Sequence, residues 1–408
     1  MSAPAPDEFK PDPSQLHAME LIRRARFALI TGGPGTGKTT VTSHAIAGFA
    51  PTSVLLAAPT GKAARRMSSA SKREATTVHR LLGFRGFCFD HGPHNPLDAD
   101  LVIVDEASML DIQLAAALFG SIGPRTRLML IGDANQLPSV GPGRVFADLL
   151  EHDAIPQARL TNVHRSAAER WVNRNAPRIL AGEALELKTT NDFEFVEVNA
   201  AVEVPAAVRE VVERDREAYV LSPQRTGHAG IYRLNAELQA LRNPEALEAG
   251  GVGAQCLRRE HYAMHVGDLV IQNKNDYQRG VTNGEIGTLV SIAGGACVVG
   301  FDDRDVAYTN EQAFALELAY ALTIHKSQGS EYDHVVVVCH STHTRMLTRK
   351  LLYTAITRTR RKVTIVGDQK GIGTALRTAR DDKRNTTLLE RLRGELEPMD
   401  EVSGGERT

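Results

Sequence analysis

The sequence predicts an α/β fold: two parallel-sheet lobes covered by helices, with a small antiparallel β-barrel inserted into the second. Three observations predict it. Short runs rich in Leu, Ile and Val recur with helix-length segments between them, and a glycine-rich loop follows the first such run. Near residues 264–314 the texture changes to brief strands separated by Gly- and Asp-rich turns.

In chain order, residues 1–13 carry Pro4, Pro6, Pro11 and Pro13 and are expected to form a disordered tail. A first lobe is expected over residues 14–158, with strands at Phe27–Thr31, Val54–Ala58, Leu101–Asp105 and Leu128–Gly132. A helical stretch containing Ser166–Leu180 leads into a second lobe, expected over 159–263 and 315–385. Its strands are Ala218–Ser222, His334–Cys339 and Val363–Val366. Gly267–Asn273, Glu285–Ser291, Ala296–Phe301 and Arg304–Asn310 supply the inserted barrel, and residues 386–408 a terminal helix and polar tail.

The whole chain sets broad limits. At 408 residues, 42% hydrophobic and 24% charged, it has room for two or three globular domains. No run approaches the ~20 apolar residues of a membrane span, and no basic-then-apolar leader opens the chain, so a cytoplasmic location is expected. Cys88, Cys256, Cys297 and Cys339 are far apart and form no C-x-x-C pair, which favours buried free thiols over a zinc site or a disulfide framework. A formal net charge of −1 gives no global attraction to a polyanion, so local charge matters more than the sum.

Gly32-Gly33-Pro34-Gly35-Thr36-Gly37-Lys38-Thr39 satisfies the P-loop pattern between a strand and a helix, with Thr40 following. Backbone N–H groups and Lys38 would cradle ATP phosphates, and the Thr39 hydroxyl would meet Mg²⁺. Asp105, ending a strand, is placed for the second contact to Mg²⁺, and Glu106 to orient or deprotonate the attacking water. A glycine turn or an acidic strand end alone is commonplace; the two in this order point to nucleotide hydrolysis.

Further segments follow in the order of the superfamily 1 helicase motifs, from about Gln15 to about Asp368. Ala57–Arg65 and Thr76–Leu82 resemble the strand-holding segments of the first lobe, Asp105–Met109 the metal-and-water motif, and Gly132–Pro138 the γ-phosphate-sensing motif. Thr323–Glu331 and Tyr353–Arg358 resemble the last two motifs. Gly267–Val270, Asn275–Tyr277 and Asn283–Gly287 resemble the insert of the RecD-like branch.

The resemblance implies two RecA-like P-loop NTPase lobes with an SH3-like barrel inserted in the second. It also implies an ATP-dependent helicase moving 5′ to 3′ on single-stranded DNA and opening duplex junctions. By the same resemblance Gln15 reads adenine, Gln136 senses the γ-phosphate, Arg165 and Arg358 reach it, and Glu331 contacts the nucleotide. Ser166 stands where many relatives have Gln, which weakens the match at Arg165. The chain begins almost at its first motif, implying a short form without the amino-terminal domain of longer relatives.

From Gly61 to Gly86, seven basic residues face one acid, a local net charge of +6. Lying between two strand-motif matches, the stretch is read as the DNA path, with Pro59, Thr60, Lys62, Arg65, Thr77, His79, Thr323 and His325 as contacts. Each of these single residues could instead cap a helix or satisfy a buried carbonyl. Phe84, Phe87, Phe89 and His91 within residues 83–97 suggest a hairpin, whose 87, 89, 91 alternation would place three rings on one strand face. In RecD-like relatives a hairpin here splits the duplex; ordinary packing of Phe87 and Phe89 is nearly as good a reading.

Two alternatives stay open at this stage: an RNA helicase or ribonucleoprotein remodeller of the same superfamily, and a DNA-binding ATPase that does not unwind. A P-loop kinase or GTPase would not need the motifs near 323–331 and 353–358. No nuclease constellation is evident. Recombination or replication proteins are the implied partners; repair, recombination, conjugation and phage replication all suit the residues.

Overall fold

Strands covered on both faces carry continuous apolar runs, and the first half of the chain is built from such strands. The computed structural model describes residues 10–162, 169–245, 256–276, 278–380 and 384–396. Its first six strands are β1 (Phe27–Gly32), β2 (Val54–Ala58), β3 (Ala75–Thr77), β4 (Leu101–Val104), β5 (Arg127–Gly132) and β6 (Gln157–Leu160). They form one parallel sheet in the order β3-β2-β4-β5-β1-β6. Helices α1 (Pro13–Arg24), α2 (Lys38–Ile46), α3 (Gly61–Ser71), α4 (Val78–Leu81), α5 (Ile112–Gly120) and α6 (Val145–Leu150) connect them. Every residue of β4 is buried, as its sequence Leu-Val-Ile-Val requires.

The order of this sheet positions the chemistry. β4, β5 and β1 are neighbours, so the segments leaving their carboxyl ends, Asp105–Glu106, Asp133 and the glycine-rich loop, emerge side by side. β6 runs to Leu160, just past the boundary expected at 158. The expected amino-terminal tail is also shorter than 13 residues: Asp12 caps α1, accepting from Ser14 N (2.8 Å) and Gln15 N (3.0 Å), and Pro13 begins the helix.

The second parallel sheet contains β7 (Phe193–Glu197) and β8 (Tyr219–Ser222), flanked by helices α7 (Trp171–Ala181), α8 (Val204–Arg214) and α9 (Ile231–Arg242). A short pair, β9 (Leu257–Arg258) and β10 (Ala263–Met264), precedes an antiparallel sheet. That sheet has strands β11 (Leu269–Gln272), β12 (Ile286–Ala293), β13 (Ala296–Gly300), β14 (Asp305–Tyr308) and β15 (Leu316–Leu318), in the order β14-β13-β12-β11-β15. The chain then returns through β16 (Ala321–Thr323), β17 (Tyr332–Cys339), α10 (Arg349–Ile356), β18 (Thr359–Gly367) and α11 (Gln369–Arg377). The second sheet runs β16-β8-β17-β18-β7, parallel throughout.

β8 and β16 are direct neighbours, so the whole antiparallel sheet sits inside one connection between adjacent strands. Leaving and returning at nearly the same place lets the insertion join its host without interrupting the parallel sheet, and its buried residues, such as Leu289, Val299 and Tyr308, share one core with Val208, Leu234 and Val336 of the host lobe. β15 pairs with β11 and lies beyond residue 314, so this sheet extends past the range read from the sequence.

Residues 384–396 come back to the first lobe. Arg384 donates to Gly141 O (2.9 Å), Gly143 O (2.8 Å) and Ser139 O (2.7 Å), Thr386 Oγ1 donates to Asp148 Oδ2 (3.0 Å), and α12 (Leu388–Leu392) packs on α6. All four cysteines are free; Cys297 and Cys339 are buried as expected, but Cys256 is only half-buried and Cys88, in a surface turn, is exposed. Among the described residues, no helix is long and apolar enough to cross a membrane.

Candidate active site

The loop between β1 and α2 has a shape that glycine alone permits. Gly35 (φ +72°) and Gly37 (φ +83°) take left-handed backbone, and a Cβ on Gly32 would lie 2.6 Å from Thr36 Oγ1 and 2.9 Å from Leu160 Cβ. Such a turn at a helix start offers N–H groups and the positive end of the helix dipole to phosphate oxygens. Lys38 Nζ donates to Gly32 O (2.5 Å) and Gly33 O (3.0 Å), and Thr36 Oγ1 donates to Gly33 O (2.9 Å). Pro34 and Thr39 are half-buried in the same turn and Thr40 is exposed.

Gln15 is buried and spans α1 to this loop. Its Oε1 accepts from Asp12 N (3.1 Å) and its Nε2 donates to Thr36 O (3.2 Å). The amide keeps one donor and one acceptor position in reserve, so base reading is compatible with this anchoring role, which the sequence did not disclose.

Asp105 and Glu106 are both buried, and Glu106 N donates to Asp105 Oδ1 (2.8 Å). Glu106 has φ +52°, a left-handed conformation that costs a non-glycine residue of order 1–3 kcal/mol and is common at functional sites. Burial and the neighbouring Glu106 charge raise the Asp105 carboxyl above its usual range. Burial alone would raise Glu106 too, but Arg66, Arg358 and Lys38 together hold it below the usual range. Two carboxylates one residue apart are thereby driven in opposite directions. The hard oxygens of Thr39 and Asp105 suit Mg²⁺, which takes one or two protein ligands and completes its shell with phosphate and water.

Arg66 is one of the seven basic residues between Gly61 and Gly86, and the structure turns it toward carboxylates. Its Nη2 donates to Glu106 Oε1 (3.0 Å) and lies 3.8 Å from Asp105 Oδ2, while Nη1 donates to Glu331 Oε1 (2.7 Å) in the second lobe. Arg360 Nε also donates to Glu331, at 3.3 Å.

The seam between the lobes is built from the loop after β5 and from α10. Tyr353 OH donates to Asp133 Oδ2 (2.8 Å), Leu137 N donates to Thr354 Oγ1 (2.9 Å), and Lys350 Nζ donates to Ala134 O (3.1 Å). Gln328 Nε2 donates to Leu137 O (3.0 Å). Gln136 lies buried in that loop with Nε2 3.5 Å from Asp133 Oδ2. Arg358 is buried just past α10, donating to Thr354 O (3.1 Å) and Ser330 O (3.4 Å), with its charge felt at Glu106. Arg165 lies outside the described residues.

Several of the strand-contact residues have local duties. Thr60, Thr77 and Thr323 are N-caps, accepting from Ala63 N (3.3 Å), Arg80 N (3.2 Å) and Lys326 N (3.4 Å). Arg65 donates to the buried Glu285 of the antiparallel sheet at 2.5 Å. Pro59, Lys62 and His325 are half-buried. Of the other basic residues in this stretch, Arg73 donates to Ile46 O and Phe49 O (2.7 Å each) and Arg85 donates to Asp90 (2.9 Å). The local +6 charge is therefore largely neutralised or used within the protein, which a count along the chain cannot reveal.

Residues 83–97 form two short turns in place of one hairpin, the first closed by Phe84 and Phe89 and the second by Gly92 and Asn95. Phe84 bridges Phe89, and Arg85 N donates to Cys88 O (2.9 Å) around Gly86 (φ +91°). Phe87 sits in that turn, fully exposed, while Phe89 packs on Phe84 (5.1 Å) and near His79 (6.1 Å). Phe87 and Phe89 do not share a face, because alternation holds along a strand and not through a tight turn.

A family model described as an AAA domain matches residues 15–142, and one described as a UvrD-like helicase C-terminal domain matches residues 318–366. The chain is 40% identical over 384 residues to the ATP-dependent RecD2 DNA helicase of Deinococcus radiodurans, covering 93% of this chain and 52% of that one. It is 33% identical to the RecBCD enzyme subunit RecD of Mycolicibacterium smegmatis, covering 90% of this chain and 72% of that subunit. The chain belongs to the RecD-like family of superfamily 1 helicases. It spans about half the length of the Deinococcus relative. Its fold is that of the Pif1 helicases. A Bacteroides Pif1 helicase in complex with ADP-AlF3 and single-stranded DNA superposes with a TM-score of 0.53 at 19% identity, covering 95% of this chain and 97% of that one.

Proposed function

We propose that this RecD-like chain is an ATP-driven motor that moves 5′ to 3′ along single-stranded DNA and separates duplex at a junction. The observation that carries the reading is convergence. The charges of Lys38 in the glycine-rich loop, Arg66 and Arg358 all act on Glu106, and the loop that carries Gln136 is bonded to Tyr353 and Thr354 of the second lobe.

In the proposed reaction, Glu106 accepts a proton from the water whose oxygen attacks the γ-phosphorus. The bond from that phosphorus to the bridging oxygen breaks, its electron pair leaves with ADP, and phosphate is released. Lys38, Arg358 and Arg165 stabilise the charge that spreads over the γ-oxygens, while Gln15 holds the base and Glu331 contacts the nucleotide. Thr39 and Asp105 would hold Mg²⁺, which would supply positive charge to the nucleotide phosphates.

Turnover opens and closes the seam, and alternate grips by Pro59, Thr60, Lys62, Arg65, Thr77 and His79 on one lobe and Thr323 and His325 on the other advance the strand. The antiparallel sheet between β8 and β16 is taken as the SH3-like barrel of RecD-like relatives, and the Phe87 turn as the element that meets the duplex. A motor of this kind works in the cytoplasm beside recombination or replication proteins.

The test measures ATP turnover with and without single-stranded DNA, and strand separation on duplexes carrying a 5′ or a 3′ overhang. Stimulated turnover with opening from the 5′ overhang alone is expected. Lys38→Ala and Glu106→Gln should each lose about 10² or more in turnover yet still bind single strands. Stimulation without opening would reduce the reading to a translocase, and stimulation by RNA instead of DNA would overturn the substrate.

A further inference from the structure

Helix α3 touches three parts of the molecule at once. Its N-cap is Thr60, and a Cβ on Gly329 of the second lobe would lie 2.8 Å from Thr60 Oγ1. A Cβ on Gly61 would lie 2.1 Å from Thr282 Oγ1, so the connection between β11 and β12 also abuts the start of the helix. One turn on, the guanidinium of Arg66 joins Glu106 of the first lobe (3.0 Å) to Glu331 of the second (2.7 Å), using one terminal nitrogen for each. Its Nε is buried without a hydrogen-bond partner, so the side chain is held through its terminal nitrogens, by hydrogen bonds to those two carboxylates and by the charge of Asp105 at 3.8 Å.

We propose that Arg66 is a positioning residue through which α3 and the second lobe control Glu106, so that strand engagement is transmitted to the hydrolysis site by this one guanidinium. The inference rests on the motor reading above. A guanidinium is a rigid planar fork, and it bonds both carboxylates only while they stand one fork-width apart. While it does, Glu106 Oε1 accepts a charge-assisted hydrogen bond and is less free to take a proton from water. Displacement of α3 by a strand phosphate, or of Glu331 by movement of the second lobe, breaks that spacing and releases Glu106. The left-handed backbone of Glu106 means that its direction is imposed by its surroundings rather than by local preference.

The test is the ratio of strand-saturated to strand-free ATP turnover in wild type, Arg66→Ala and Arg66→Lys, with thermal midpoints recorded for each. Arg66→Ala should raise strand-free turnover and lower the ratio by about fivefold or more, the scale of an allosteric coupling, with KM for ATP within about twofold of wild type. Arg66→Lys, which keeps the charge but is shorter and lacks the planar fork that matches the spacing of the two carboxylates, should keep most stability and still lower the ratio. It decides the matter if the alanine variant does not fold. An unchanged ratio in either folded variant, or equal losses of both rates, would overturn the coupling. A wild type without strand stimulation would overturn the motor reading itself.

Discussion

Lys62 shows how the surroundings of one side chain change what its charge can do. Burial is the main influence and Arg65 adds to it, outweighing Glu285, so the ammonium is pushed from 10.5 down to about 8. Between those values the folded chain binds fewer protons than the unfolded one, so this group's contribution to stability rises with pH across that window and is flat below it. A strand phosphate beside Lys62 acts the other way, favouring the ammonium. Single-strand affinity should therefore weaken as pH rises from 7 to 9, measured by fluorescence anisotropy, and Lys62→Met should flatten the change. Identical pH slopes in the two proteins would remove Lys62 from the strand path. Arg66 makes a related point: its identity as a basic residue was plain in the sequence, but whether it faced phosphate or carboxylate depended on residues 40 and 265 positions away.

Among the elements, the strands most readily read were those buried on both faces, such as β4 and β17, because an unbroken apolar run has few other uses in a soluble fold. β7, with Glu at two of five positions, and β16, only three residues long, carry too little pattern and owe their place to β18 and β8 beside them. The Phe87 turn is an element whose function can be separated from its stability. Phe87 is fully exposed, so Phe87→Ala should shift stability by less than about 0.5 kcal/mol. Strand separation should fall several-fold while DNA-stimulated ATP turnover is retained. Loss of both activities together would end its assignment to duplex opening.

On the scale of the whole molecule, the two lobes are joined by directional bonds across the site and by Leu137 of the first lobe, which is buried in the core of the second. Tyr353 is the most telling of them. Burial and Asp133 keep its hydroxyl protonated far above neutrality, so it remains a donor to that carboxylate. Tyr353→Phe removes a hydrogen bond to a charged group, worth about 1.5–3 kcal/mol, while leaving the ring in place. A lower unfolding midpoint and slower turnover are expected together, because the loop holding Asp133 also carries Gln136. An unchanged midpoint and rate would mean that the seam is held elsewhere. The segment carrying Arg384 adds a second tie, returning from the second lobe to the carbonyls of Ser139, Gly141 and Gly143 on the first.

The sequence by itself determined the central strands of the two parallel sheets and the position of the phosphate loop, and it located the Asp105–Glu106 pair. These depend on local order: an apolar run, a glycine pattern that no other residue can replace, and a carboxylate at a strand end. Only the tertiary structure decided that Arg65 meets Glu285, that Arg66 bridges Glu106 and Glu331, and that Phe87 and Phe89 part company. Charges choose partners by distance in space, and a ring in a turn points where the turn sends it; neither quantity is written in the spacing of residues along the chain.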